Sequence, residues 1–173
     1  MSKTDKGEEY FLRLEAYFPK GLRNYWSLIL ESLRELSRHV STAFRTEVYE
    51  DFNVVLFHEE ELENFLHASI HFSKIREIEL IDSIVDKVLE SSEFVEVYLS
   101  VKDDALFQKI GENIYVEGIN VRILKYGEKG LCTLSYRLFK QNKGICLIHR
   151  ILSKASRKRV FEEFKRILRF KGK

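Results

Sequence analysis

The 173-residue chain is 45% hydrophobic and 13% aromatic, enough apolar material for one domain with a core of its own. Its formal charge of +2 conceals a division: residues 1–136 hold sixteen Lys and Arg against twenty-five Asp and Glu, whereas residues 137–173 hold thirteen against two, a body of −9 and an end of +11. No run of about 18 uncharged apolar residues occurs, and MSKTDKGEEY is charged where a signal peptide needs an apolar stretch, so a soluble cytoplasmic protein without a membrane partner is expected.

In chain order, the first strong pattern is LRNYWSLILESLRELSRHVSTAF, in which Leu22, Trp26, Ile29, Leu33, Leu36, Val40 and Ala43 recur at alternating spacings of four and three. That is the seam of a long N-terminal helix, packed on its own domain or on a second copy, and the six residues from Leu22 to Val40 are its candidate dimer interface. NVVLF at 53–57 reads as a short buried strand. From Glu59 to Lys74 the pattern reads as a helix, with Leu62, Phe65, Leu66, Ser69 and Phe72 on one face and Glu60, Glu63, His67, His71 and Lys74 on the other. IELIDSIVDKVLESS reads as a second helix, and FVEVYLSV at 94–101 alternates as a strand. DDALFQKIGENIYVEG is a helix closing on Gly118, with a strand at 114–116 as its alternative. INVRILKY at 119–126 alternates as a strand, LCTLSYRLF and GICLIHRIL read as a hairpin around KQNKG, and a basic helix starts near Ser156.

These elements predict an α/β domain over 51–173, a mixed sheet flanked by helices, preceded by a helical extension over 1–50. No internal repeat is legible. Cys132 and Cys146 lack metal-site or redox spacing and read as small core residues, although a disulfide between neighbouring strands fits geometrically. Abundant Lys, Arg and Glu with few Gln and one Met lean towards a thermophile's composition.

The succession IDSIVDKVLESSEFVEVYLSV, EGINVRIL, YRLFKQNKGICLIHR and SRKRVFEEFKRIL resembles one α/β unit of the phospholipase D-like superfamily, in the degenerate form of archaeal TrmB-type effector domains, over residues 78–168. The resemblance implies a sensing or assembly domain. The superfamily's His-x-Lys signature supplies a nucleophile and a phosphate-holding cation, yet none of His39, His58, His67, His71 or His149 has Lys two residues on, so no catalytic residue carries over. The winged helix that precedes TrmB effector domains has no counterpart in the first fifty residues.

Two constellations carry candidate chemistry. Glu63, His67 and His71 stand four apart, as helical metal ligands do, but no general-base Glu lies between the histidines, and a solvated polar face is the favoured account of them. Asp82, Asp86, Glu96, Lys102 and Asp103 form a loose acidic set that a Mg²⁺-dependent phosphodiester-cleaving enzyme would need to converge.

The basic end is the stronger signal. Lys158, Lys165, Arg166 and Arg169 fall opposite the Phe161, Phe164 and Leu168 stripe, and Arg137, Lys140 and Lys143 in the expected hairpin extend the patch. Phosphate attraction by counterion release is one use; an acidic protein surface, or the chain's own acidic body, is another. Tyr126, Tyr136 and Phe139 would stack on bases if exposed. The expected function is therefore a non-catalytic regulatory or interaction protein acting near nucleic acid, without a cofactor or resident metal. A nuclease-like enzyme and a structural homodimer are the alternatives.

Overall fold

A computed structural model describes residues 9–102, 113–126, 131–151 and 153. In chain order the elements are β1 (Tyr10–Pro19), α1 (Tyr25–Arg34), β2 (His39–Ala43), β3 (Thr46–Tyr49), β4 (Asn53–Glu61), β5 (Phe65–Ile75), α2 (Ile78–Leu89), β6 (Phe94–Lys102), β7 (Asn113–Val116), β8 (Ile119–Tyr126) and β9 (Leu131–Phe139). A 3-10 turn at Lys140–Asn142 follows, and residues 147–151 are helical. The strands form one sheet in the order β2-β3-β4-β5-β1-β6-β9-β8-β7, and every neighbouring pair is antiparallel.

This overturns the expected mixed sheet behind a long N-terminal helix. YFLRLEAYFP is a strand because its apolar residues alternate: Leu12, Leu14, Ala16 and Phe18 are buried, while Phe11 and Arg13 face outward. Set between β5 and β6, it is the middle strand of the sheet and part of the same body as the later residues. The helix expected over 22–43 stops at Arg34, its end tightened by bonds from Glu35 N–H to the Ser32 carbonyl and from Leu36 N–H to the Leu33 carbonyl. Beyond it, β-branched Val40 and Thr42 enter β2. The heptad residues divide accordingly. Ile29 and Leu33 are fully buried in the chain's own core, Leu22, Trp26 and Leu36 pack against its margin, and Val40 lies on β2, 56% exposed.

The helix expected from Glu59 to Lys74 is instead the end of β4, a turn, and β5. Ala68, Ile70 and Phe72 are buried and His67, His71 and Ser73 are on the other face, a period of two. Residues four apart share a face in a strand as well as in a helix, which is why His67 and His71 fitted both readings. The expected second strand of the terminal hairpin is also replaced, since residues 147–151 are helical. Its first turn is capped from afar: Asp82 on α2 accepts the Ile148 and His149 backbone N–H groups, each at 2.9 Å. Cys146, just before that turn, is exposed and Cys132 is buried in β9, and the two are not joined in a disulfide. β4, α2, β6 and β8 lie where the sequence placed elements of their kind. β7 occupies the alternative strand position, and Gly118 belongs to the β7–β8 turn, where Glu117 and Gly118 have φ of 53° and 77°.

Both helices cover one face. α1 packs on α2, and α2 lies over β5, β1 and β6. Ile81, Ile84, Val85 and Val88 meet Leu12, Leu14, Val97 and Leu99 in one core cluster. The strand order is partly symmetric: β5, β4 and β3 follow β1 outward on one side as β9, β8 and β7 follow β6 on the other, and the two sets meet at the antiparallel β1–β6 pair. Helices on one face leave the other face of the sheet, among the described residues, without a covering element.

Candidate functional site on the open sheet face

Cross-strand register arranges the open face in rows, because directly opposite residues of an antiparallel sheet project to the same side. The first row is aromatic. His67, Tyr17, Phe94 and Phe139 stand opposite one another from β5 to β9. Tyr17 stacks on His67 at 4.7 Å and on Phe94 at 4.3 Å between ring centres. Burial, and then the neighbouring Glu96 carboxylate, pushes the Tyr17 phenol up to about 12, so it remains a hydrogen-bond donor throughout the physiological range.

The second row holds Ser69, Glu15, Glu96 and Arg137. Two carboxylates directly opposite one another repel unless each is answered. Glu15 accepts from Ser69 at 2.7 Å, from His67 Nε2 at 2.7 Å and from Arg13 at 3.0 Å. Glu96 accepts from Tyr17 at 3.0 Å and from Arg137 at 3.2 Å. Each charge thus has two or more donors, and Arg137 also lies 5.4 Å over the Phe94 ring.

Ser69, His71 and Glu15 are the residue types of an activated-serine site, but their wiring runs the other way. A carboxylate only accepts, so the 2.7 Å contact makes Ser69 Oγ the donor to Glu15. The 3.2 Å contact between Ser69 Oγ and His71 Nε2 then has the imidazole N–H donating to the hydroxyl. In an activated serine the imidazole takes the hydroxyl proton. Burial, with Arg13 adding to it, holds His71 below its ordinary pKa, which favours the neutral ring.

The third row contains His71, Arg13, Tyr98, Ser135 and Arg122. The Arg13 guanidinium lies 4.1 Å over the Tyr98 ring. The fourth row holds Phe11, Ser100, Thr133 and Leu124, with Ser100 and Thr133 hydroxyls 2.9 Å apart. Two cavities open on this face. One of about 640 Å³ is bordered by Tyr98, Arg122, Ser135, Arg137 and the Lys140–Asn142 turn, and one of about 490 Å³ by Phe11, Arg13, His71, Tyr98 and Thr133. Both fall within the size range of small-ligand sites.

The residues singled out from sequence scatter. Arg137 reaches the open face; Lys143 instead pairs with Glu90 at 2.8 Å, and Lys140 is exposed in the 3-10 turn. Lys158, Lys165, Arg166 and Arg169 lie outside the described residues, as does Asp103. Phe139 is 43% exposed, whereas Tyr136 is buried on the helix side, its hydroxyl without a hydrogen-bond partner among the described residues and its pKa raised well above the ordinary value by burial. The acidic set does not converge: Asp82 and Asp86 cap backbone groups beneath α2, and Glu96 is on the opposite side of the sheet. Among the described residues no cluster of three His, Cys, Asp or Glu could hold a metal ion, and Glu63, His67 and His71 form none. Phe11, Arg13, Glu15 and Tyr17 were missed altogether, although the alternation of YFLRLEAYFP was the signal that would have found them.

No family model matches the chain, and no curated protein matches it. A chain in the crystal structure of A. aeolicus tRNASec in complex with M. kandleri SerRS is similar at 12% identity, with a TM-score of 0.37 over 88% of this chain and 31% of that one. A likeness this slight carries no argument. Among the described residues no helix is long and apolar enough to cross a membrane.

Proposed function

We propose that the protein is a non-catalytic interaction module that engages nucleic acid through the open face of its sheet. The observation that carries this reading is the mixing of accessible aromatic side chains with arginines on a sheet face that no described element covers: Phe57, Phe11 and Phe139 are 67%, 52% and 43% exposed beside Arg13, Arg122 and Arg137. Aromatic rings offer bases a stacking platform and guanidiniums answer phosphates, and this pairing defines sequence-tolerant nucleic-acid surfaces. The basic residues from Lys158 onward add charge for the same partner. The donor wiring of Ser69 and the separation of Asp82 from Glu96 argue against hydrolytic chemistry.

The test is binding of labelled single- and double-stranded nucleic acid at two salt concentrations, with Phe57→Ala and Arg137→Glu alongside the unsubstituted protein. Salt-sensitive binding that both substitutions weaken supports the reading. No binding at low salt, or binding indifferent to both, ends it.

A further inference from the structure

The four rows of the open face are chemically unequal, and the difference suggests how a ligand lies on them. The second row is charged but closed, because each of its carboxylates is already bonded to its neighbours. The third row contains no carboxylate at all. From His71 through Arg13, Tyr98 and Ser135 to Arg122 it crosses five strands. At the usual spacing between strands that is a span of about 19 Å.

Its members are not equally engaged. Arg13 is bonded to Glu15 and lies over Tyr98. Arg122 is exposed, and among the described residues no carboxylate pairs with it. Glu117 borders the same cavity but is bonded to Arg150. Tyr98 borders both cavities, so the row passes through one, over the tyrosine, and into the other.

We infer that this row is the track of one single-stranded segment, laid across the β-strands, with a phosphate at Arg122 and a base against Tyr98. The inference rests on the reading above and assigns the subsites within it. An exposed guanidinium at a cavity, with no carboxylate paired to it among the described residues, calls for an anion. A tyrosine that borders both cavities and is backed by a guanidinium calls for a flat ring against it. A nucleotide strand brings both at every residue of its chain, whereas an acidic peptide supplies a flat partner for Tyr98 only where an aromatic side chain falls at the right spacing from a carboxylate. A duplex keeps its bases stacked inside and offers Tyr98 none. The neighbouring exposed Phe11 and Leu124, 52% and 42% accessible, form an apolar bank beside the track.

The experiment uses the full chain with labelled oligouridylate and oligothymidylate, titrated at several salt concentrations, with a labelled duplex as comparison. Arg122→Glu is expected to weaken both single strands by roughly tenfold and to lower the salt slope by about 1. Tyr98→Ala is expected to weaken them by about 5- to 150-fold with the slope unchanged, and Tyr98→Phe to restore them. Arg38→Glu, outside the four rows and paired with Glu50, is the control and leaves binding unchanged. Circular dichroism and the urea midpoint verify that each variant is folded. If the unsubstituted protein binds and Arg122→Glu and Tyr98→Ala stay within twofold of it, the track is wrong while the nucleic-acid reading stands. Tighter binding of the duplex also overturns the track. If the unsubstituted protein binds none of the three probes, the broader reading falls first.

Discussion

Asp82 was a candidate for metal-dependent chemistry in the sequence and is a helix cap in the structure, and replacing it by Asn separates the two roles. Its carboxylate accepts two backbone N–H groups at 2.9 Å each, from Ile148, which is fully buried, and from His149. Asparagine retains one acceptor oxygen and turns an amide N–H₂ towards the other donor. An unsatisfied buried N–H costs about 1–3 kcal/mol. With a urea dependence of roughly 2 kcal/mol per molar, the midpoint should fall by about 0.5–1.5 M. The pH dependence has a defined sign. Burial raises the folded-state pKa of Asp82 above its ordinary 3.8, against the lowering effect of both N–H bonds. A carboxyl group with a raised folded pKa contributes stability that is fully present below 3.8 and is lost as pH rises through the folded value. The gap between the unsubstituted protein and Asp82→Asn should therefore be widest in acid and narrow towards neutrality, with nucleic-acid binding unchanged. A gap that widens with pH would refute the reasoning, because the N–H bonds would then outweigh burial. Loss of a divalent-dependent cleavage activity in this variant would instead return Asp82 to chemistry.

Other consequences follow from the same structure. Leu14→Ala opens a cavity in the middle strand, where the side chain is fully buried, and should cost about 2–5 kcal/mol by urea denaturation, whereas Val40→Ala at the sheet edge should stay within about 0.5 kcal/mol. An N-terminal segment that was only an extension would leave the two alike. His71 has a folded pKa below its ordinary 6.5, so stability should be lost as pH falls from 6.5 through the folded value; His71→Gln should flatten that part of the pH–stability curve. Gly118→Ala meets no atom within 4 Å but must hold a φ of 77°, so its loss, measured by thermal melting, should be about 1 kcal/mol from backbone strain alone.

What was legible in the sequence depended on whether a pattern admitted one period or two. FVEVYLSV and INVRILKY alternate so plainly that no helix competes, and IELIDSIVDKVL supplies a helical stripe that no strand can use. The stretch from Phe65 to Ile75 was misread because apolar and polar residues there also recur at four, and Glu59 to Glu61 looked like a helix N-terminus. The heptad seam was real as far as Leu33. Its continuation through Leu36, Val40 and Ala43 was a coincidence of spacing across a helix end and a new strand. Within GICLIHRIL residues 147–151 are helix, their first turn capped by a carboxylate more than sixty residues earlier, a tertiary fact no local window contains. The open face followed the same logic. Arg137 and Phe139 were visible as basic and aromatic, but rows that join β5, β1, β6, β9 and β8 exist only once register is known.

The central carboxylate pair offers a way to tell scaffold from ligand site on that face. Glu15 is 9% exposed and takes hydrogen bonds from Ser69, His67 and Arg13, so its oxygens are committed inside the protein. Glu15→Gln removes the charge and turns one acceptor into a donor facing groups that also donate. Stability should fall by about 1–3 kcal/mol, since at least one buried donor loses its acceptor. The effect on a nucleic-acid strand should have the opposite sign. With the carboxylate gone, Arg13 no longer has its anion beside the track, and single-strand affinity should rise or hold at low salt. Had Glu15 contacted a ligand directly, by accepting from a base or by holding a cation, the same substitution would weaken binding along with stability. Parallel loss in a urea titration and a binding titration would thus move the site from the third row to the second.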